Sequence, residues 1–191
     1  MSSSSGAVPV RLAAPDGTTI AVNVVGSGDP IVLVHGTTAN KEAWILVEPM
    51  LARAHTVWSY DRRGRGASDD TAEYSLEREV DDLLAVIDAA AGEGPVHLVG
   101  HSFGACCALE AAARRQELLT SLVVYEPPFH AERAAEAEAR AIEALRGGEA
   151  ERALLIFYRE IAAISDDEIS LLQSVPAVWE ACIAAGRHAR A

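Results

Sequence analysis

Short apolar segments separated by turn residues make up the first part of the chain. Val8–Leu12 and Thr18–Val25 are both of β type, and the Pro-Asp-Gly sequence at residues 15–17 between them is typical of a turn, so the pair predicts a β-hairpin. Ile31–Val34 is continuously apolar and β-branched, as in a strand that is buried on both faces of a parallel sheet. Thr56–Tyr60 predicts a further strand.

Helical spacing alternates with these strands. Asn40–Ala54 has such spacing, and Ser75 can cap a helix whose apolar residues share one face, namely Leu76, Val80, Leu83, Leu84 and Ile87. The next three elements are a strand, a helix and a strand: Val96–Val99, Phe103–Arg115 and Leu122–Tyr125. This alternation predicts an α/β fold with a mostly parallel sheet and helices on both of its faces.

The pattern changes after Pro127 and Pro128. Residues 130–188 contain no strand-like run, and their spacing predicts four short helices, at about 131–146, 149–164, 166–174 and 177–187. Ser165 and Glu168 form a capping-box sequence at the start of the third helix, and Pro176 suits the start of the fourth. We therefore expect two domains, 1–128 and 129–191.

Composition and charge exclude several classes of protein. The 191 residues carry a formal net charge of −12, which argues against nucleic-acid binding, because that function normally needs a basic surface. No apolar run approaches the length of a membrane span, and the N-terminus lacks the charged and apolar regions of a secretory signal. The three cysteines show no Cys-x-x-Cys spacing. We expect a cytoplasmic protein without a metal or cofactor, and with neither nucleic acid nor membrane as a partner.

The clearest chemical signal is the sequence Gly-His-Ser-Phe-Gly at residues 100–104. It follows an apolar strand and precedes an alanine-rich helix, which is the context that a nucleophile elbow requires. A nucleophile in such a tight turn needs neighbours without bulky side chains, and Gly100 and Gly104 meet that need. Ser102 is therefore the candidate nucleophile, at a helix N-terminus whose dipole favours a developing negative charge.

Together with two further motifs, this elbow sequence makes the chain resemble the α/β-hydrolase fold superfamily over residues 8–128. His-Gly-Thr-Thr at residues 35–38 stands where the family has its oxyanion loop, and residues 61–68 match the family turn Asp-x-Arg-Gly-x-Gly-x-Ser, a scaffold feature. The resemblance implies a three-layer sandwich with strands one to six, followed by an incomplete helical cap. It also implies that the backbone N–H groups of Thr37 and Phe103 form the oxyanion hole.

The serine at the elbow narrows the chemistry that the resemblance implies. Dehalogenases and epoxide hydrolases of this fold use Asp there, whereas Ser102 indicates acyl transfer through an acyl-enzyme, with a small carboxylic ester or related acyl compound as the substrate. Haloperoxidase-like and lyase chemistry stay open. The alternative is a truncated or decayed hydrolase that binds a small ligand and turns nothing over.

The triad partners of the serine are not evident. Family triads run Ser, Asp or Glu, then His along the chain, and this sequence ends before strands seven and eight, which are therefore expected to be absent. Glu126, at the end of strand six, is the candidate acid, against an alternative role as a junction residue. The general base is expected to be a histidine that this sequence does not visibly contain. Of the six histidines present, only His130 and His188 could reach Ser102, while His35 and His101 are expected to be structural. The cysteines of the elbow helix, Cys106 and Cys107, are expected to be core thiols.

The predicted topology also suggests a partner. If the sheet ends at strand six, Leu122–Tyr125 is an apolar edge strand with unpaired backbone groups on one side, and such edges favour pairing with another chain. We expect a homodimer formed through this edge, or aggregation.

Overall fold

The computed structural model of the protein describes residues 8–71, 73–92, 94–128 and 135–186. These residues include six strands: β1 Val8–Ala13, β2 Thr19–Gly26, β3 Asp29–Val34, β4 His55–Tyr60, β5 Val96–His101 and β6 Leu119–Tyr125. They include seven α-helices: α1 Glu48–Leu51, α2 Leu76–Ala91, α3 Phe103–Arg114, α4 Ala135–Arg146, α5 Ala150–Ile156, α6 Asp166–Gln173 and α7 Pro176–Gly186. Two 3-10 helices, Lys41–Trp44 and Gln116–Leu118, and a π-helical turn, Phe157–Ile161, complete them.

The six strands form one mixed sheet in the order β1-β2-β4-β3-β5-β6. β1 and β2 form the antiparallel hairpin that the sequence predicts, and β2 also runs antiparallel to β4. The remaining neighbours, β4-β3-β5-β6, are parallel. The predicted α/β class with a mostly parallel sheet is therefore confirmed.

Helices lie on both faces of this sheet, as the sequence predicts. Along β3, Val32 and Val34 belong to the core cluster that contains the buried side chains of α2 and α3, while Ile31 and Leu33 belong to a second cluster. Because side chains alternate between the two faces of a strand, the two clusters lie on opposite sides of the sheet. The second cluster includes apolar residues of the 3-10 helix Lys41–Trp44 and of α1.

The predicted helix over Asn40–Ala54 is wrong. The segment contains the 3-10 helix Lys41–Trp44 and the single turn of α1, which carries Pro49 at its start. Proline has no N–H with which to continue a helix from the preceding turn, so the helix restarts at this point.

Contacts divide the chain into two compact units. The first comprises residues up to Gly36 together with Asn40–Pro127, and the second comprises Thr37–Ala39 together with the residues from Pro128 onward. In the first unit α2 packs Val80 and Leu83 into the core, and its N-terminus is capped by the hydroxyl of Ser75, as predicted. The domains expected from the sequence, 1–128 and 129–191, did not place Thr37–Ala39 of the loop after β3 in the second unit.

The second unit is helical. Its core contains Leu154, Tyr158, Ile169 and Trp179. The predicted capping box is present, since the N–H of Ser165 donates to the Glu168 carboxylate and the N–H of Glu168 donates to the Ser165 hydroxyl. The helix predicted over 149–164 is shorter than expected, because α5 gives way to the π-helical turn at residue 157. The part of the first predicted helix that precedes Ala135 lies outside the described residues.

Within the described ranges, no single helix is long and apolar enough to cross a membrane. α6 and α7 meet the length and composition criteria only as a pair, and they are bent by 109°.

Candidate active site

Ser102 lies in a strained turn between β5 and α3. Its backbone has φ 53° and ψ −123°, in the region of positive φ that residues other than glycine rarely adopt. A Cβ atom at Gly100 would lie 2.5 Å from the carbonyl oxygen of Gly104, and one at Gly104 would lie 2.5 Å from the carbonyl oxygens of Val34 and His35. Both glycines are therefore needed for the chain to pack this closely around the serine.

The loop after β3 passes beside this turn. A Cβ atom at Gly36 would lie 3.2 Å from the Cβ atom of Ser102. The next residue, Thr37, begins the short segment that packs with the second unit, where the hydroxyl of Thr38 donates to the hydroxyl oxygen of Tyr158 at 3.4 Å. Of the predicted site residues, Ser102 and Phe103 thus lie in the first unit and Thr37 in the second.

His35 has a structural role, as predicted. The backbone N–H of Arg62 donates to Nε2 of His35 at 3.0 Å, so the ring proton is on Nδ1, which lies 2.8 Å from the carbonyl oxygen of Gly36. The imidazole is fully buried, and burial followed by the charge of Arg62 holds the pKa of His35 well below its usual value. The ring is therefore neutral and bound on both nitrogens.

The turn after β4 is held by ion pairs inside the protein. The Asp61 carboxylate accepts hydrogen bonds from the backbone N–H groups of Lys41 and Ala67, both at 2.9 Å, and pairs with the Lys41 ammonium. Arg62 pairs with Glu79 of α2. These contacts are those of a structural turn, which is the role expected for residues 61–68.

Glu126 is the first residue after β6, and it too has a positive φ, of 48°. The charge of its carboxylate interacts with His101, the residue before Ser102. The His101 ring stacks on Tyr125 with 5.3 Å between the ring centroids. Burial lowers the pKa of His101, and the Glu126 charge opposes that change. The candidate acid therefore lies in the first unit, close enough to the elbow for its charge to influence the pKa of His101.

The candidate bases His130 and His188 lie outside the described residues. Among the residues that the structure describes, no hydrogen bond joins the Ser102 side chain to a histidine. Cys107 is buried, and burial raises the pKa of its thiol to about 12, while burial also raises the pKa of Cys106. Both are therefore thiols at neutral pH and poor nucleophiles.

Two contacts among the described residues have no signal in the sequence. The hydroxyl of Tyr158, in a π-helical turn, accepts from the hydroxyl of Thr38, and no periodicity in the sequence marks that turn. Arg62 donates from Nη1 to the carbonyl oxygen of Gly36 at 3.0 Å. The family turn at residues 61–68 indicated a scaffold role for Arg62, but nothing in that motif predicts a contact with Gly36.

A serine at a strained strand–helix turn beside a His-Gly loop, on a sheet of this order, defines the class of α/β hydrolases. Comparison with known proteins agrees, since a model of the alpha/beta hydrolase family matches residues 31–191. The chain belongs to this family and has its fold.

Three similar proteins illustrate the relationship. An alpha/beta hydrolase from Sphaerobacter thermophilus DSM 20745 superposes with a TM-score of 0.84 at 34% identity, over 94% of this chain and 70% of that one. A 2-hydroxy-6-oxo-6-(2'-aminophenyl)hexa-2,4-dienoic acid hydrolase of Metapseudomonas resinovorans is 34% identical over 103 residues, which are 52% of this chain and 36% of that protein. A strigolactone esterase of Arabidopsis thaliana is 34% identical over 116 residues, which are 56% of this chain and 43% of that protein. The chain thus matches less than half the length of these two curated relatives.

Proposed function

We propose that this chain carries the nucleophile and the oxyanion hole of a serine hydrolase that acts on small carboxylic esters or related acyl compounds. The observation that carries the proposal is the backbone of Ser102, held at positive φ between β5 and α3 by two glycines that tolerate no Cβ. Similarity to a hydrolase and an esterase supports the reaction class. The non-catalytic alternative is not favoured, because backbone strain such as that at Ser102 lowers stability and occurs mainly at functional sites.

The reaction begins when Oγ of Ser102 attacks the carbonyl carbon of the ester. The new C–O bond turns the carbonyl oxygen into an oxyanion, which the N–H groups of Thr37 and Phe103 and the N-terminus of α3 would stabilise. Collapse of this intermediate expels the alcohol, which leaves with the proton lost by the serine. Water then attacks the acyl-enzyme and releases the carboxylic acid. The catalytic groups in this scheme are all side chains or backbone N–H groups, so the proposal includes no metal or cofactor.

The scheme needs a general base and an acid to orient it. Glu126 is the proposed acid, because it follows β6 directly and its charge already acts at the elbow. The base is a histidine, for which His130 and His188 are the candidates by their position in the sequence. A chain without a working base would retain the contribution of the oxyanion hole and binding alone, which is ~10³–10⁴-fold over water.

Labelling with a fluorophosphonate probe tests the nucleophile. We expect the intact chain to form one adduct, which mass spectrometry locates on Ser102, and Ser102→Ala to form none. Ser174→Ala is the matched control, because Ser174 follows α6 in the second unit, and it should label like the parent chain. Labelling of another residue, or equal labelling of Ser102→Ala, would contradict the proposal. Binding of an acyl compound without any adduct would favour the non-catalytic alternative.

A further inference from the structure

We propose that Arg62 is a positioning residue of the oxyanion hole, which fixes the orientation of the Gly36–Thr37 peptide and thereby the direction of the Thr37 N–H. The inference deepens the proposed function and rests on it for the catalytic consequence. The structural part, that Arg62 holds this peptide in one orientation, is testable by itself.

The first step is the contact between Arg62 and the loop. Arg62 is fully buried, and its Nη1 donates to the carbonyl oxygen of Gly36 at 3.0 Å, with the carbonyl oxygen of His35 at 3.5 Å. A hydrogen bond from a charged donor is about twice as strong as one between neutral groups. The carbonyl of Gly36 therefore points towards the guanidinium.

The second step follows from the geometry of the peptide bond. The carbonyl of Gly36 and the N–H of Thr37 belong to one planar peptide unit, and this peptide bond is trans. In a trans peptide the C=O and N–H bonds point in opposite directions. Holding the Gly36 oxygen towards Arg62 thus directs the Thr37 N–H away from it. The same bond polarises the peptide, which strengthens the N–H as a donor.

His35 gives this orientation a second support. Its Nδ1–H lies 2.8 Å from the same Gly36 oxygen, and the backbone N–H of Arg62 donates to its Nε2 at 3.0 Å. The Gly36 carbonyl therefore accepts from two donors: one is the Arg62 side chain, and the other is the His35 ring, whose tautomer is fixed by the backbone N–H of Arg62. A rotated peptide would leave the guanidinium and the imidazole with an unpaired buried donor each, which is costly.

Arg62 also contacts the residue that carries the second oxyanion donor. The Cζ atom of its guanidinium lies 4.6 Å from the centroid of the Phe103 ring, a cation–π contact. Glu79 of α2 holds the guanidinium itself, accepting from Nη2 at 2.6 Å and from Nε at 3.0 Å. One buried side chain thus links α2, the loop after β3 and the first residue of α3.

The next residue, Arg63, provides a matched comparison. It belongs to the same turn and is buried, and it makes the same forked pair with α2, donating from Nε and Nη2 to the Asp82 carboxylate, both at 2.7 Å. Its Nη1 donates to Asp16 and Thr71, and it has no hydrogen bond to the Gly36 carbonyl. Loss of either arginine side chain removes a buried pair, but only loss of the Arg62 side chain removes a hydrogen bond to the Gly36 carbonyl.

The experiment compares Arg62→Gln with Arg63→Gln in the full chain, at a temperature where both remain folded. The first measurement is the backbone amide signal of Thr37 in a ¹H–¹⁵N NMR spectrum. We expect Arg62→Gln to displace or broaden the signal, because the peptide keeps only its hydrogen bond with His35, and Arg63→Gln to leave it in place. A Thr37 signal that Arg62→Gln leaves unchanged overturns the inference. If Arg62→Gln does not fold, Arg62→Lys replaces it, since it keeps the charge next to Glu79 but lacks the fork that reaches Gly36.

The second measurement is the rate of fluorophosphonate attack at Ser102. Removal of a whole oxyanion donor costs about 10²–10³-fold in rate, so misdirection of one donor should slow labelling by about 10–100-fold. Arg63→Gln should label at a rate within about twofold of the parent. Equal rates in the two variants overturn the catalytic part of the inference. Absence of labelling in the parent chain instead contradicts the proposed function, and the Thr37 signal then still decides whether Arg62 holds the peptide.

Discussion

The backbone N–H of Ser102 donates a hydrogen bond to the carbonyl oxygen of Tyr125 at 2.9 Å. Since these residues follow and end the neighbouring parallel strands β5 and β6, the bond extends the pairing of the two strands into the turn. Glu126 comes next in the chain, and like Ser102 it has a positive φ. Two strained residues therefore stand at adjacent strand ends, where such strain commonly accompanies function.

Gly104→Ala is expected to destabilise the protein by at least about 3 kcal/mol, the upper part of the range for overpacking, because its Cβ atom would lie 2.5 Å from two backbone carbonyl oxygens. Gly94→Ala is the control, since nothing lies within 4 Å of a Cβ atom there. Urea unfolding measures both. Similar stability of the two variants would show that the elbow relaxes to admit a side chain.

Acid should weaken the fold through His35. Its pKa lies well below the usual 6.5 because the ring is buried, so below pH 6.5 the unfolded chain binds a proton that the native one does not. Stability from this group is present above pH 6.5 and is lost as the pH falls, by about 1.4 kcal/mol between pH 7.5 and 5.5. Urea unfolding at these two pH values measures it. His35→Asn lacks the group, so its stability deficit should narrow by this amount; a constant deficit would contradict the prediction.

Glu126→Gln is expected to lower the pKa of His101 further, because the carboxylate favours the protonated ring and its removal leaves burial unopposed. An NMR titration of the imidazole measures this. Glu110→Gln, an exposed position on α3 paired with Arg114, is the control and should leave the titration unchanged. If Glu126 is also the catalytic acid, the substitution slows labelling of Ser102; unchanged labelling would remove that role.

Tyr158→Phe should lower the free energy of unfolding by only about 0.5–1.5 kcal/mol, because it removes the weak hydrogen bonds of the hydroxyl with Thr38 and Cys182 and keeps the ring. Tyr158→Ala should cost about 3–5 kcal/mol, the range for loss of a buried aromatic ring, because Trp179 and Phe157 pack around it. Thermal and urea unfolding measure both. A large loss in Tyr158→Phe would mean that the hydroxyl, and not the ring, carries the contribution.

We expect the chain to self-associate through β6. Within the described residues this strand pairs only with β5, and Val123 and Tyr125 are 52% and 56% exposed. Val123→Lys should weaken association at least ~tenfold, since a charge on an edge strand opposes pairing. Leu171→Lys, at a 70% exposed position on α6, is the control. Sedimentation across a concentration series measures both, and a parent chain that remains monomeric would contradict the prediction.

The local pattern of the sequence determined most of the fold. The Gly-His-Ser-Phe-Gly sequence at residues 100–104 follows an apolar strand and precedes an alanine-rich helix, so the sequence alone locates the elbow. The hairpin, the parallel strands and the cap residues Ser75 and Ser165 were equally visible. These features depend on neighbours in sequence, where spacing and side-chain type are sufficient information.

Only the tertiary structure decided how the site is held. Pro49 interrupted a helix that apolar spacing alone predicted, and the π-helical turn around Tyr158 has no periodic signature. Arg62 reaches Gly36 across 26 positions of sequence. A motif can show that an arginine is present, but which carbonyl it binds depends on where a buried guanidinium finds acceptors. The acceptors of Arg62 are set when two loops and a helix pack together, because a charge that is buried without a partner strongly destabilises the fold.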